Sequence, residues 1–298
     1  MKMRLLTNLL QDKLAVLSLA VIGLILAAGA MAPVFAPHDP NAVNMDLRYA
    51  GASWHYLLGN DHLGRCILSR LIYGIRPSVL GVLAALFVSV ALGAFLGLVA
   101  GYFKGKTDAV IMRVCDIMLS FPGYVMTLAI VGILGVGLGN ILLAFMLLKW
   151  AWFARIIRAS VLQAAEADYI KFARITGVPS ITILLRHVVP VVSADIAVVA
   201  SSSFGSMILQ LSGFSFLGLG VQAPNAEWGM MLNEARDVMF SRPELMLAPG
   251  LAIVLTVSAV NFMSDALQTA LDPTLSKTNR KFREQASLPV KLRGKEVA

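Results

Sequence analysis

The sequence predicts an all-α integral membrane protein with about six transmembrane helices. Hydrophobic residues make up 58% of the 298 residues and charged residues only 14%, a balance outside that of soluble domains. Six apolar runs are long enough to cross a bilayer as helices, because one crossing needs roughly 17 to 25 residues. The predicted spans are 14–34, 79–102, 117–138, 141–162, 188–211 and 245–271.

The N-terminal region is predicted to hold a basic leader, one transmembrane helix and an external loop. Small residues at 28–32 resemble a signal-peptide cleavage site. The apolar run there is longer than the roughly 7 to 15 residues of a signal-peptide core, which favours a retained helix. We place this region at residues 1–77, the membrane core at 78–273 and a charged, mobile cytoplasmic tail at 274–298.

The external loop is predicted to end in an interfacial amphipathic helix at residues 65–76. Its apolar side, placed against lipid or protein, comprises Ile67, Leu68, Leu71, Ile72 and Ile75. Its polar side, placed toward water, comprises Arg65, Ser69, Arg70 and Arg76. The loop also contains His38, His55 and His62, but their spacing matches no metal-ligand pattern, so we predict no metal site.

Two short connections follow in the membrane core. Residues 100–107 match the loosest phosphate-loop pattern, but a transmembrane helix precedes them where a strand would be required. They are therefore predicted to form a turn, and this chain is predicted not to bind ATP. The Gly-rich residues 135–140 are too few for anything but a tight hairpin between the third and fourth spans.

The distribution of Lys and Arg predicts that both termini are cytoplasmic. With the N-terminus inside, the basic residues left outside are Arg48, Arg65, Arg70, Arg76, Arg236 and Arg242. The formal net charge of +8 then reflects topology and attraction to anionic lipid, and does not indicate nucleic-acid binding. Cys66 and Cys115 fall on opposite sides of the membrane, so no disulfide is predicted.

Polar residues inside the spans are candidates for function, because their burial in lipid is costly. Lys149 lies near the middle of the fourth span. The other candidates for a translocation pathway lie in the fifth and sixth spans and are Asp195, Ser201, Ser202, Ser203 and Asn261. Two interpretations stay open: these side chains pair across the helix bundle, or they line a pathway.

The last external segment, residues 213–243, begins with a Gly-rich stretch that cannot form a regular lipid-exposed helix. Non-helical backbone at membrane depth is stable only when it is buried in protein or lines a cavity. We therefore predict a re-entrant turn at an external entrance, followed by a short helix at 228–239. The predicted entrance residues are Gly218, Gly220, Glu227 and Trp228.

Residues 164–190 form the longest charged interruption between two apolar segments, so this stretch must face water. A helix is predicted at 163–176, because the stretch has good helix formers and no Pro or Gly. Gly177 is predicted to end this helix in a left-handed turn, and Pro179 to begin a second short helix. Pro190 is predicted to break the helix again.

This stretch resembles the cytoplasmic loop motif of type I ABC importer permeases. Ala173, Gly177 and Pro190 have the relative spacing of the Ala, Gly and Pro in that motif. Lys171 and Phe172 stand where the general motif has Glu and Ala, so the general motif is met only in part.

The version of the motif in the peptide and nickel importer branch fits better. Tyr169 and Arg174 match its first half, and Arg186 with His187 matches the half that precedes the proline. Residues 58–71, 216–232 and 265–273 also resemble the C-type subunits of this branch, with Asn60 and Cys66 in place of the usual Thr and Asp. Together these motifs cover nearly the whole chain up to Pro273.

The resemblance implies a C-type permease subunit with the type I permease fold in residues 78–273 and a coupling helix docked on an ATPase subunit. The implied ATPase-coupling loop contains Glu166, Tyr169, Lys171, Ala173, Arg174, Gly177, Arg186, His187 and Pro190. Implied partners are a second homologous permease subunit, two ATPase subunits that hold ATP and Mg²⁺, an external solute-binding protein and the lipid of a bacterial cytoplasmic membrane. The resemblance assigns no catalytic residue and no bound cofactor to this chain.

Residues 152–158 and 223–229 look most like nickel and metallophore-nickel members, which implies a nickel or other transition-metal chelate as cargo. A di- or oligopeptide is the alternative cargo. The predicted spans hold no His for a bare ion, whereas Lys149 could attract an anionic chelate unless Asp195 neutralises it. The rival class is an ion-coupled secondary transporter, but no inverted repeat is visible. A membrane enzyme would need motifs such as a metalloprotease signature, which the sequence lacks.

Overall fold

The computed structural model describes residues 9–271, and the ordered elements in this range are helices. The α-helices are α1 Lys13–Ala30, α2 Ala32–Phe35, α3 Ile67–Ile75, α4 Val82–Phe103, α5 Gly105–Leu119, α6 Gly123–Leu134, α7 Leu138–Ala165, α8 Asp168–Ile175, α9 Ser180–Ile183, α10 Val189–Phe216, α11 Trp228–Ala235 and α12 Glu244–Leu271. Short 3₁₀ helices occupy Met45–Leu47 and Arg236–Val238, and π-helical turns occupy Arg76–Gly81 and Leu184–Val188. The first part of the basic leader (1–8), residues 272–273 and the tail (274–298) lie outside the described residues.

Five helical segments among the described residues are long and apolar enough to cross a membrane. They are Lys13–Ala30, Ile67–Phe103, Leu138–Ala165, Ser180–Phe216 and Glu244–Leu271. The pair of α5 and α6 provides a sixth crossing when it is counted as one broken span. The predicted fold class, all-α with about six transmembrane helices, is thereby confirmed.

The third predicted span, 117–138, is wrong as a single helix. α5 begins at Gly105 and ends at Leu119, α6 begins at Gly123, and the two helices are bent by 79°. Pro122 explains the break, because proline lacks the N–H that a helix interior needs and disfavours helical geometry in the preceding residue. The apolar composition continues across the break, so hydropathy shows one span where the backbone forms two shorter helices.

The helix predicted at 65–76 forms as α3, but it is not separate from the second predicted span. α3 continues through the π-helical turn into α4, and together they form the 37-residue segment Ile67–Phe103. The domain boundary predicted at residue 77 falls inside this segment.

The polar side predicted for that helix is right at Arg76, which is exposed, and wrong at its other three residues. Arg65, Ser69 and Arg70 are buried. They are accommodated because Asp61 and Glu234 place carboxylates against the two guanidinium groups. Glu234 lies far away in the sequence, so helical periodicity alone gave no sign of this burial.

The predicted loop helices differ in their bounds. The helix predicted at 163–176 is interrupted, since α7 ends at Ala165 and α8 begins at Asp168. The break predicted at Pro190 is wrong, because α9 passes through a π-helical turn into α10 without interruption. Pro190 lies in the first turn of α10, where a missing N–H costs little, and the π-helical turn before it absorbs the irregular hydrogen bonding.

The tightest helix contact joins α4 and α7. Gly93, Gly97 and Gly101 recur at every fourth position along one side of α4 and are buried there. A Cβ added at Gly93 or Gly97 would lie 2.7 Å from a carbonyl oxygen of α7, that of Trp150 or of Ala154. Small residues therefore set the close approach, as they do in many membrane helix pairs. α10 packs on this pair, and α12 lies between α10 and α1.

Candidate functional site

The predicted coupling loop joins α7 to α10, and its central turn forms as predicted. Gly177 has φ +82°, a left-handed conformation that residues with a Cβ rarely adopt. The Gly177 N–H donates to Arg174 O and the Val178 N–H donates to Ala173 O, each at 3.1 Å, which ends α8. No neighbouring atom lies within 4 Å of a Cβ built at Gly177. The backbone conformation, and not packing, therefore requires glycine here.

α8 carries an apolar face that this chain leaves uncovered. Tyr169, Phe172 and Ile175 are 52%, 67% and 84% exposed. Ile170, on the other side of the helix, is fully buried, and Ala173 packs against the core. Three large apolar side chains along one exposed face are typical of a contact surface for another protein.

Ion pairs orient the start of this loop. Glu166 ends α7, and its Oε1 accepts a hydrogen bond from Lys104 Nζ at 2.7 Å. Lys171 Nζ lies 3.7 Å from Glu166 Oε2. The hydrogen bond and charge of Lys104, with the charge of Lys171, hold the pKa of Glu166 below its ordinary value. Because Glu166 is exposed, these pairs favour one loop orientation and add little to overall stability.

Two ring contacts hold the loop motif in place, one between the loop and α4 and one between the two halves of the motif. The Arg174 guanidinium carbon lies 5.2 Å from the ring centroid of Tyr102, at the end of α4. The rings of Tyr169 and His187 lie 6.3 Å apart, and Arg186 is exposed beside His187 in the π-helical turn. The predicted coupling residues thus gather at one end of the helix bundle.

A cavity of about 320 Å³ lies at the bend between α5 and α6, and we call it the bend cavity. Its walls come from α5, α6, α7 and α10. Its polar lining residues are Tyr124, Thr127, Lys149, Ser203, Ser206 and Gln210. The break in the backbone between two apolar helices therefore coincides with a cavity that several polar side chains line, as expected for non-helical backbone within a membrane protein.

Lys149 and Ser203 are the predicted pathway residues that line the bend cavity. Lys149 carries its charge. Its Nζ lies 6.0 Å from the ring centroid of Phe145. Within residues 9–271 no carboxylate forms an ion pair with it. Asp195, the possible neutralising partner, is exposed on α10. The charge of Lys149 is therefore not cancelled by the part of the chain that the structure describes.

Asp195, Ser201, Ser202 and Asn261 lie outside the bend cavity. Ser201 Oγ and Ser264 Oγ are hydrogen-bonded at 3.0 Å between α10 and α12, which fits the pairing interpretation for Ser201. Ser202 Oγ donates to Val199 O at 3.1 Å in its own helix. Ser202 and Asn261 are both exposed. A pathway role for these residues stays a prediction.

Sequence reasoning missed most of the polar lining of the bend cavity. Ser203, Ser206 and Gln210 follow one another at intervals of three and four residues, which places them on one face of α10. That interval was the available signal. No comparable spacing pointed to Tyr124 and Thr127, because their place in the cavity depends on the bend before α6.

The predicted entrance residues divide into two pairs. Gly218, with φ +82°, turns the chain after α10, and a Cβ at Gly220 would lie 1.9 Å from Ser215 Oγ. Glu227 and Trp228, by contrast, are buried beneath the surface. These two side chains support the external segment from within, and an entrance role stays a prediction.

Glu227 and Trp228 attach α11 to the membrane segment that contains α3. The Glu227 carboxylate accepts hydrogen bonds from two backbone N–H groups at the start of α11, at 2.8 and 2.9 Å. It also accepts one from Ser78 Oγ at 2.9 Å. The Trp228 indole Nε1 donates to Leu71 O at 2.9 Å. The short helix predicted after the Gly-rich turn therefore forms as α11. The hydrogen bonds of the buried Glu227 and Trp228 fix the point where it begins.

Four charged side chains, three of them buried and Glu234 partly buried, connect the loop predicted to be external, α3 and α11; we call them the external ion cluster. Arg65 Nε lies 2.7 Å from Asp61 Oδ2, and Arg65 Nη2 lies 3.0 Å from Glu234 Oε2. Arg70 Nη2 donates to the same Glu234 oxygen at 2.9 Å. His62, Asp61 and Glu234 have ligand atoms within 4.8 Å of one another. The two guanidinium groups already balance both carboxylates, which disfavours a cation there.

Comparison with known families covers most of the chain. The model of the binding-protein-dependent transport system inner membrane component matches residues 93–277. The model of the N-terminal transmembrane domain of oligopeptide transport permease C matches residues 4–52. The first match contains the motifs of the predicted loop and of residues 216–232 and 265–273.

Several relatives match over nearly their whole length. The metal-staphylopine import system permease protein of Staphylococcus aureus is 55% identical, over 93% of this chain and 96% of the relative. The nickel transport system permease protein of Escherichia coli is 38% identical, over 87% and 94%. The di/tripeptide transport system permease protein of Pseudomonas aeruginosa is 40% identical, over 85% of each chain. This chain therefore belongs to the family of binding-protein-dependent transport system inner membrane components, as a C-type permease subunit of the peptide and nickel branch of type I ABC importers.

Proposed function

We propose that this chain is the permease subunit through which an ABC importer moves a chelated transition metal across a bacterial cytoplasmic membrane. The observation that carries the proposal is the 55% identity, over 96% of its length, to a permease named for metal-staphylopine import. The proposed assembly contains a second homologous permease subunit, two ATPase subunits and an external solute-binding protein. A peptide cargo is the alternative, because permeases named for peptide transport are also similar, at 40% identity.

The bend cavity favours a chelated metal over a bare ion. A bare divalent cation needs several N, O or S ligands, and the described lining contains no His, Cys, Asp or Glu. The ammonium group of Lys149 would also repel a free cation. A chelator supplies its own metal ligands and needs only a polar path with room for its organic part. The lining therefore suits the complex better than its metal.

In this proposal the chain moves, and its partner subunits carry out the chemistry. ATP and Mg²⁺ lie on the ATPase subunits, whose closure displaces the docked face of α8. Tyr169, Phe172 and Ile175 offer the apolar contact for that docking. Glu166 and Arg174 transmit the displacement to α4 through Lys104 and Tyr102. The bundle then changes from inward-facing to outward-facing and receives the cargo from the binding protein.

We propose that both termini are cytoplasmic, because the predicted Lys and Arg distribution favours that orientation. Cysteine labelling tests it in a background in which the buried Cys66 and Cys115 are replaced by Ala. Trp54, which is 96% exposed, is a better external probe position than Asn60, which is 1% exposed. A membrane-impermeant maleimide is expected to label Trp54→Cys in intact cells and Lys171→Cys only after permeabilisation. Labelling of Lys171→Cys in intact cells would reverse the orientation.

Uptake by the complete transporter tests the cargo. Cells that express all subunits are expected to accumulate radiolabelled nickel supplied with staphylopine, and to accumulate much less nickel supplied as the free ion. A labelled dipeptide is the comparison cargo, and cells without the ATPase subunits are the control. Dipeptide uptake without nickel uptake would reject the metal chelate and leave the permease assignment intact.

A further inference from the structure

The bend cavity holds a cation that the described part of the chain does not neutralise. Lys149 lies on α7, the helix that packs most tightly on α4, so its position is fixed by the core of the bundle. The cation lies next to the break at Phe121 and Pro122, where the backbone leaves the helical path. Ionisable groups at membrane depth are retained where they pair or where they act on a solute. No pair is present among residues 9–271, so this part of the chain leaves Lys149 available to a solute.

The free hydrogen-bond donors of the cavity are few, and they suit an anion. Ser203 and Ser206 donate their hydroxyl protons to backbone carbonyls of α10, at 2.7 and 2.8 Å. Thr127 donates to Gly123 O at 2.8 Å. Four donors of the lining thus have no hydrogen-bond partner in the described structure: the Lys149 ammonium, the Gln210 amide, the Tyr124 hydroxyl and the Trp152 indole N–H. Lys149 is the charged member of this set, and a charged donor beside neutral ones matches the acceptor oxygens of a carboxylate.

The backbone adds to this arrangement. α6 begins at Gly123 with no side-chain cap, because the residue before it is Pro122. Its first N–H groups therefore point outward from a helix start, which carries partial positive charge. Gly123 and Tyr124 both line the cavity, so this end lies on the same side as Lys149. The start of α6 adds partial positive charge to the Lys149 site. By itself it would not form an anion site.

The remaining walls suit the organic part of a ligand. Phe121, Phe145 and Trp152 supply aromatic surface, and Met118 and Met126 supply flexible apolar surface. The volume of about 320 Å³ lies at the lower end of the range for small-molecule sites. Mostly apolar walls with a few convergent donors are the usual form of such a site.

We propose that the bend cavity is an anion-binding subsite in which Lys149, assisted by Gln210, binds a carboxylate of the chelated cargo during passage. This inference rests on the proposed function, since a bare cation would have no carboxylate to offer. It names the cargo as a carboxylate-bearing chelate. It also makes Lys149 a selectivity residue against cationic and uncharged solutes.

Variants of Lys149 in the complete transporter, reconstituted in liposomes, test this subsite. The probe is the radiolabelled nickel–staphylopine complex, delivered by the binding protein. We expect Lys149→Met to lower its uptake at least tenfold, Lys149→Arg to keep most of it and Lys149→Glu to abolish it. Lys106→Met is the matched control, because it removes an exposed Lys of α5 that does not line the cavity. Lys106→Met is expected to keep both uptake and the ATP hydrolysis stimulated by the binding protein within twofold of wild type.

The order of the variants separates charge from packing. A packing role would favour Met over Arg, whereas a charge role requires Arg above Met and Met above Glu. Lys149→Met with wild-type uptake would overturn the subsite and leave the proposed function intact. Loss of the second permease subunit from purified Lys149→Met would also overturn it, because Lys149 would then serve subunit assembly. A wild-type transporter that imports a dipeptide but no nickel complex would overturn both proposals.

Discussion

Replacing Arg70 with Met is expected to lower the free energy of unfolding by about 3–5 kcal/mol, the usual cost of breaking a buried ion pair. Arg70 donates to Glu234 at 2.9 Å, and its side chain is 1% exposed. Its removal leaves Arg65 alone between Asp61 and Glu234, so one buried negative charge has no counter-charge in the cluster. Met keeps most of the side-chain volume, which limits the effect to the lost charge and hydrogen bond.

The matched control is Arg236→Met. Arg236 lies 3.5 Å from Asp237, but both side chains are more than half exposed, at 55% and 86%. Surface pairs of this kind contribute about 0–1 kcal/mol, so little change is expected. The double variant Arg70→Met with Glu234→Gln is expected to recover part of the loss, because it removes the unpaired charge.

Thermal unfolding of the purified assembly in detergent measures both effects. We expect the midpoint to fall clearly for Arg70→Met, to stay near wild type for Arg236→Met and to lie between them for the double variant. Equal midpoints for Arg70→Met and wild type would show that the external ion cluster does not stabilise the fold. A double variant no better than Arg70→Met would show that the cost comes from lost packing.

The membrane spans could be predicted because hydropathy is a local property. The predicted span 245–271 and the observed α12, Glu244–Leu271, differ by one residue at the start. α7 runs from Leu138 to Ala165, three residues beyond the predicted span at each end. A helix can continue past the bilayer as long as its residues favour helical geometry, so hydropathy gives the crossing and not the helix ends.

The external ion cluster could not be predicted, because its partners meet only in the folded chain. Arg70 and Glu234 are 164 positions apart. Without a known partner, a helix with Arg on one side has to be placed with that side in water. A short loop of charged residues and an amphipathic helix therefore predicted an exposed surface where the structure has a buried one.

The bend cavity could be predicted from the sequence only in part. Pro122 was a visible signal for a break, but an apolar run that continued on both sides favoured one uninterrupted span. Lys149 was identified as unusual from the sequence alone. The residues that share the cavity with Lys149 could not be identified, because Tyr124 and Gln210 lie on two other helices whose relative positions depend on the bend. Lys149 could therefore be singled out from the sequence, whereas the arrangement of the lining residues around it could be seen only in the tertiary structure.

The coupling loop was the part of the site that sequence predicted best, and Gly177→Val is expected to uncouple it. Valine at φ +82° carries a left-handed penalty of about 1–2 kcal/mol, and more for a β-branched side chain. Such a penalty shifts a conformational equilibrium by roughly 5- to 30-fold. Transport and substrate-stimulated ATP hydrolysis are both expected to fall to that extent, while membrane insertion stays normal.

Two variants distinguish an effect of the turn at Gly177 from a general effect of backbone strain. Gly177→Asn is expected to keep most of the activity, because Asn tolerates the left-handed conformation. Gly135→Val introduces comparable strain at φ +93°, also with no neighbouring atom within 4 Å of the new Cβ, at the opposite end of α7. It is expected to leave ATP hydrolysis coupled to transport, because it does not alter α8. Equal uncoupling by Gly135→Val and Gly177→Val would mean that strain anywhere in the bundle disturbs transport, and the loop at Gly177 would lose its special role.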